Sequence, residues 1–193
     1  MIKRLTIFIF LLVMFHQASA AAQEVKNGII REQYAEGVLG EVSYKNGKRE
    51  GISKSFYPDG KIASEEDYVD DKLEGMLKAY YQNGHIMTEG NHKNGKLDGE
   101  VKYYYEDGTL WDKKRFSDGK LLDKLGNYYN GIYREKNKNG QLHREMNYKD
   151  GEMEGDYKLY YENGKLHFHG LMSHGKLQRW LEEYDENGKL IKR

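Results

Sequence analysis

Cysteine is absent from the 193 residues, proline occurs once, and the formal charges cancel at 31 basic against 31 acidic side chains. Without cysteine there is no disulfide framework, no thiolate metal site and no lipid-modified N-terminal cysteine. Stability must come from packing and strand pairing. The balance of charge excludes a strong general attraction to nucleic acid or anionic lipid. Long hydrophobic runs are also lacking, with one exception: Leu5 to Phe15 follows Lys3-Arg4 and precedes Ala18-Ser19-Ala20. That run of about 11 residues is short for a membrane span, which needs roughly 20. The three regions match a secretory signal peptide over residues 1–20, cleaved after Ala20 or, since Ala21 and Ala22 follow, after Ala22. An uncleaved anchor is the alternative reading. Without Lys3 and Arg4 the balance is 29 basic against 31 acidic, a formal charge of −2. The expected destination is the periplasm or the exterior.

What is abundant is glycine, 22 residues, and tyrosine, 17. Both recur in one phrase: Phe56-Tyr57-Pro58-Asp59-Gly60, Tyr80-Tyr81-Gln82-Asn83-Gly84, Tyr104-Tyr105-Glu106-Asp107-Gly108 and Tyr160-Tyr161-Glu162-Asn163-Gly164. Gly60, Gly84 and Gly108 stand 24 apart, Gly140 follows after 32, and Gly164 and Gly188 resume the interval of 24. Such a period means stacked supersecondary units, which offer a long surface and no natural place for a single catalytic pocket. Of the thirteen Asn-Gly or Asp-Gly pairs, twelve, ending at Gly28, Gly47, Gly60, Gly84, Gly95, Gly108, Gly119, Gly131, Gly140, Gly151, Gly164 and Gly188, read as hairpin turns of the two-residue type I′ kind. The fold class expected is all-β: an elongated repeat array of antiparallel hairpins forming a single-layer, twisted meander sheet, behind a signal-peptide helix. Residues 21–33 read as an N-terminal linker and 34–193 as the array, with 119–126 as an irregular insertion of 8 residues. The insertion is either a recognition loop or a tolerated surface irregularity, the second being preferred.

Two-residue turns fix the register. They set Tyr57 against Ile62, Tyr81 against Ile86, Tyr105 against Leu110 and Tyr161 against Leu166, and put Leu77, Ala79 and Tyr81 on a buried face with Val101, Tyr103 and Tyr105. The opposite face carries Lys54, Lys78, Lys102, Arg134 and Lys158 beside Phe56, Tyr80, Tyr104 and Tyr160. The same register sets Lys54 against Glu65, Lys78 against Glu89 and Arg134 against Glu145, which makes a cross-strand ladder of charges. It sets Lys102 against Lys113 and Lys158 against His169, two rungs without an acid. Tyr80, Tyr104 and Tyr160, with Lys102, Lys113 and Lys158, are therefore the candidate partner-binding residues.

Catalytic chemistry is hard to find. His167 and His169, with His174 after the next bend, suggest at most a weak zinc site, and no metal site or cofactor is assigned. The carboxylates recur with the repeat, as a structural ladder would, and no nucleophile elbow, phosphate loop or metalloprotease motif occurs. The chain reads as a non-enzyme. The phrase Tyr-Tyr-x-Asn-Gly-Lys-Leu, with Asn94-Gly95-Lys96-Leu97-Asp98-Gly99 and Asp150-Gly151-Glu152-Met153-Glu154-Gly155, resembles the bacterial variant of the MORN repeat from about Tyr34 onward. The resemblance implies a scaffold for protein–protein interaction or self-association. A binder of envelope or host-surface glycan or lipid headgroups is the alternative. Relatives also bear antitoxin or phosphoinositide-kinase names; export argues against the first, and the lack of any kinase motif against the second.

Overall fold

A computed structural model describes residues 27–33 and 39–193. The expected signal peptide lies outside them. Every regular element described is a strand: β1 (Asn27–Gln33), β2 (Leu39–Lys45), β3 (Lys48–Arg49), β4 (Gly51–Phe56), β5 (Ile62–Val69), β6 (Lys72–Tyr80), β7 (Ile86–Lys93), β8 (Lys96–Tyr104), β9 (Leu110–Ser117), β10 (Lys120–Leu122), β11 (Gly131–Lys136), β12 (Leu142–Lys149), β13 (Glu152–Tyr160), β14 (Leu166–Ser173), β15 (Lys176–Tyr184) and β16 (Leu190–Lys192). Two compact units result. The first holds the described residues up to Lys96 together with Lys102–Asp112; the second holds Leu97–Val101 and Lys113–Arg193. In the first, β1, β2, β4, β5, β6 and β7 pair antiparallel in that order, β3 pairing with β2; in the second, β9 pairs with β10, and β11 to β16 pair in chain order. The meander of hairpins expected from the sequence is thus present. Asn27–Gln33, read as linker, is instead a strand whose seven residues all pair with β2.

The glycine pairs divide into two turn types. Asn46-Gly47, Asn94-Gly95, Asp118-Gly119 and Asp150-Gly151 have positive φ at both residues, as type I′ requires, and Asp70-Asp71 and His174-Gly175 do the same without the expected dipeptide. At Gly60, Gly84, Gly108, Gly140, Gly164 and Gly188 only the glycine has positive φ. There the glycine N–H donates to the carbonyl three residues back, as Gly84 does to Tyr81 at 2.8 Å, and the loop has three residues with a glycine bulge. The Asn or Asp before Gly60, Gly84, Gly108 and Gly164 serves by its side chain, Asn83 Oδ1 accepting from His85 N–H at 3.0 Å, and at Gly140 and Gly188 Asn137 and Asp185 accept the corresponding bond. Gly28 and Gly131 lie in β1 and β11 and make no turn.

The longer loop moves the register beside it. Phe56, Tyr80 and Tyr160, rather than Tyr57, Tyr81 and Tyr161, face Ile62, Ile86 and Leu166. A bulge then restores the expected register, so that Lys54 faces Glu65, Lys78 faces Glu89 and Lys158 faces His169. The displaced second tyrosines become staples between successive units. Tyr57 donates its hydroxyl to Tyr80 C=O at 2.5 Å, Tyr81 to Tyr104 C=O and Tyr161 to Tyr184 C=O, both at 2.7 Å.

The face carrying Leu77, Ala79 and Val101 is buried, as expected. Small residues cross it in the first unit, Ser55–Ser64–Ala79–Thr88 on successive strands, with the Ser55 and Ser64 hydroxyls 2.7 Å apart. In the second unit aromatic rings replace them, Tyr157 and Phe168 lying 6.0 Å apart and Phe168 and Trp180 4.5 Å apart. Residues 119–126 are no surface irregularity. Leu121 is 1% exposed, and its N–H donates to Gly151 C=O while its own carbonyl accepts from Tyr129 N–H. Gly126 N–H donates to Asp123 C=O, so the insertion closes with the same three-residue loop as the regular units.

Candidate functional site

Because three hairpins, Lys54–Glu65, Lys78–Glu89 and Arg134–Glu145, present one basic and one acidic side chain at the same register, the face opposite the buried one carries an alternating row. In the first unit it runs Arg31, Glu41, Lys54, Glu65, Lys78, Glu89 on successive paired strands. Lys54 Nζ lies 3.0 Å from Glu65, and Lys102 Nζ 3.4 Å from Glu89. The first tyrosine of each pair is tied into the row. Tyr80 donates to Glu65 and Tyr104 to Glu89, each at 2.8 Å. The hydrogen bond from Lys54, then that from Tyr80, holds the Glu65 carboxyl below its ordinary range; Tyr104 and then Lys102 do so for Glu89. Burial, reinforced by Glu65, pushes the Tyr80 hydroxyl up to about 12.

The second unit repeats the device. Glu145 takes Arg134 at 2.8 Å on one side and Lys158 at 3.9 Å on the other, while Lys113 lies 3.6 Å from Glu100. Tyr160 is half-buried, its hydroxyl pushed up by burial and by Glu145. The structure therefore brings Tyr80 to Glu65, Tyr104 and Lys102 to Glu89, and Lys158 to Glu145, and corrects the reading of Lys102, Lys113 and Lys158 as cations lacking an acid. That reading considered only the hairpin partner, and an interior strand has a neighbour on each side. The histidines separate as well. A bulge leaves His167 without a cross-strand partner beside the Tyr161 ring at 4.3 Å, His169 Nε2 meets Asp156 Oδ1 at 2.6 Å, and His174 Nδ1 meets Ser173 Oγ at 3.0 Å.

Two features escaped the sequence. Buried carboxylates occur once in each unit: Glu66 accepts from the Tyr68 hydroxyl at 2.7 Å, and Glu135 binds Lys114 and, at 2.5 Å, Arg144. The other feature is a column of acceptors that receives the two-residue turns. The first N–H of each turn donates to a side chain on the preceding hairpin: Asn46 to Asn27, Asp70 to Glu50, Asn94 to Glu74, Asp118 to Asp98, Asp150 to Asn130 and His174 to Glu154, at 2.7–3.4 Å. The second N–H donates to a backbone carbonyl, as Gly95 does to Leu73 at 2.9 Å and Gly175 to Met153 at 3.0 Å. The signal was available in the sequence, as a polar acceptor three residues after Gly47, Asp71, Gly95, Gly151 and Gly175.

No curated protein matches the chain. A model of the MORN repeat variant matches residues 49–70, 73–94, 97–118, 129–150 and 153–172, and each stretch holds one three-residue glycine loop, at Gly60, Gly84, Gly108, Gly140 and Gly164 in turn. These five matches cover more than half of the sequence, and the chain belongs to the MORN repeat variant family.

Proposed function

We propose that this chain is an exported, non-enzymatic scaffold that binds protein partners. MORN repeats are in general binding modules, and proteins built from them are in general non-catalytic scaffolds. The observation that carries the protein-binding reading is the neutralised row. Lys102, Lys113 and Lys158 each have a carboxylate within 4 Å, so the face offers no excess positive charge to phosphate or acidic glycan. Export rests on the signal-peptide pattern of residues 1–20.

Affinity capture tests the reading, with the mature chain from Ala21 as bait, envelope extract of the producing organism as prey, and anionic vesicles as a parallel arm. Saturable retention of a defined protein at both low and high salt is expected. Retention on vesicles or envelope polysaccharide alone, falling as salt rises, would replace it with surface binding.

A further inference from the structure

At four of the six described two-residue turns, Asp70-Asp71, Asn94-Gly95, Asp118-Gly119 and His174-Gly175, the acceptor pair that receives the turn sits two and three residues beyond the previous such turn: Leu73 C=O and the Glu74 side chain follow Asp71 and receive Asn94-Gly95. Met153 C=O and Glu154 follow Gly151 and receive His174-Gly175. The next pair in this series, beyond Gly175, is Leu177 C=O and Gln178 on β15. Leu177 faces Met172 next to the closing pair Ser173–Lys176, so its N–H and C=O point away from β14. On that side β16 covers only Glu183 and Tyr184. Among the described residues Lys176, Gln178 and Arg179 make no side-chain hydrogen bond or ion pair. Leu177 is 46% and Trp180 39% exposed.

We propose that this edge is a docking site for a β-hairpin of a protein partner, which pairs antiparallel with Lys176–Trp180 and sets the two N–H groups of its tight turn on Leu177 C=O and Gln178 Oε1. The occupied acceptor pairs of the same chain show the geometry of the complex. Side chains define the partner further: Lys176 and Arg179 call for acidic residues on the incoming strand, and Leu177 and Trp180 for apolar ones. A second copy does not meet the requirement. All six two-residue turns among the described residues already donate to an acceptor of their own chain.

The proposal rests on the protein-binding reading above, and its test is independent of envelope capture. The probe is a head-to-tail cyclised peptide with the sequence of Glu66–Gly75, whose strand carries Glu66, Asp67, Tyr68 and Val69 ahead of the Asp70-Asp71 tip, titrated against the full mature chain and followed by fluorescence anisotropy. Saturable binding is expected. Leu177→Pro, tolerated on an edge strand whose N–H faces solvent, should abolish it. Gln178→Leu should weaken it about threefold to tenfold, the effect of one hydrogen bond. Circular dichroism melts confirm that both variants fold. Absence of binding, or equal binding to the wild type and Leu177→Pro, overturns the site. A dimer of the wild type in sedimentation that Leu177→Pro dissolves would overturn the assignment of a foreign partner. Capture of a protein that survives Leu177→Pro would leave the scaffold standing and move its interface elsewhere.

Discussion

Glu66 and Glu135 are the same residue at the same depth, 5% and 4% exposed, and their carboxyls move in opposite directions. Burial raises Glu66, and its hydrogen bonds from Tyr68 and Ser64, with Arg49 nearby, only partly offset it. Burial also raises Glu135, but Arg144 and Lys114 outweigh it and the net movement is downward. A raised carboxyl binds its proton more tightly when folded, so its contribution to stability is present below the ordinary glutamate range and lost as pH rises through the folded value. Glu66→Gln should therefore raise the melting temperature at pH 7 to 8 and lose that advantage near pH 4, each tenfold change in proton affinity being worth about 1.4 kcal/mol. Melts of both proteins across that range check it, and a constant difference would show that the ionised form costs nothing. For Glu135 the sign reverses. Its stabilisation is present above the ordinary range and lost as pH falls through the lowered value. Glu135→Gln leaves the half-buried Lys114 and Arg144 without their counter-charge and should cost roughly 3 kcal/mol by denaturant titration. Neither carboxylate was legible in the sequence, where both look like ordinary charges on an alternating strand. Their burial depends on which neighbouring columns are small, as with Ser55 and Ser64, or bulky, as with Tyr133 and Tyr157.

At the level of the element, the hairpins were legible because alternating strands between glycine turns leave little choice of partner. The turn types were not. The same dipeptide serves in Asn94-Gly95, where both residues need positive φ, and in Asn83-Gly84, where only the glycine does. Loop length decides between them, and the one-residue slip it introduces explains why Tyr80 rather than Tyr81 faces Ile86. The candidate site failed for a related reason: hairpin register reveals one neighbour of Lys158, His169, and the charge that matters, Glu145, comes from the strand on the other side. Turn glycines also differ in what surrounds them. A Cβ on Gly84 meets nothing within 4 Å, whereas on Gly151 it would stand 2.7 Å from Leu121 O and 2.9 Å from Lys120 Cβ. Gly84→Ala should cost about 1–2 kcal/mol, the strain of positive φ alone. Gly151→Ala must also displace backbone that carries the bond from Leu121 N–H, and should cost clearly more. Urea titrations of the two variants decide it, and equal losses would mean that the contact at Gly151 relaxes freely.

For the whole molecule, stability in a repeat array is approximately a sum over neighbouring units, so an interruption in the period is where that sum is most exposed. The eight extra residues look dispensable in the sequence, because removing them would restore the interval of 24 between Gly108 and Gly140. Their structure argues otherwise. Leu121 is among the largest fully buried side chains of the described residues, Lys120 pairs with Glu152 at 3.2 Å, and backbone bonds link Leu121, Tyr129 and Gly151 in a closed triangle. Lys114 on β9, reaching Glu135 on β11, reinforces the same junction within the second unit. Leu121→Ala should cost about 2–5 kcal/mol, as other buried leucine truncations do. Deleting 119–126 should be worse, since it also strips Gly151 and Tyr129 of their backbone partners. Amide exchange locates the effect: in Leu121→Ala it should quicken at Tyr129, Gly151 and along β11 to β13, with the amides of β4 and β5 keeping their wild-type rates. Unchanged stability on deletion would return 119–126 to the role of a tolerated irregularity. A loss confined to β11 to β13 would mean instead that the broken period is what allows the second unit to form.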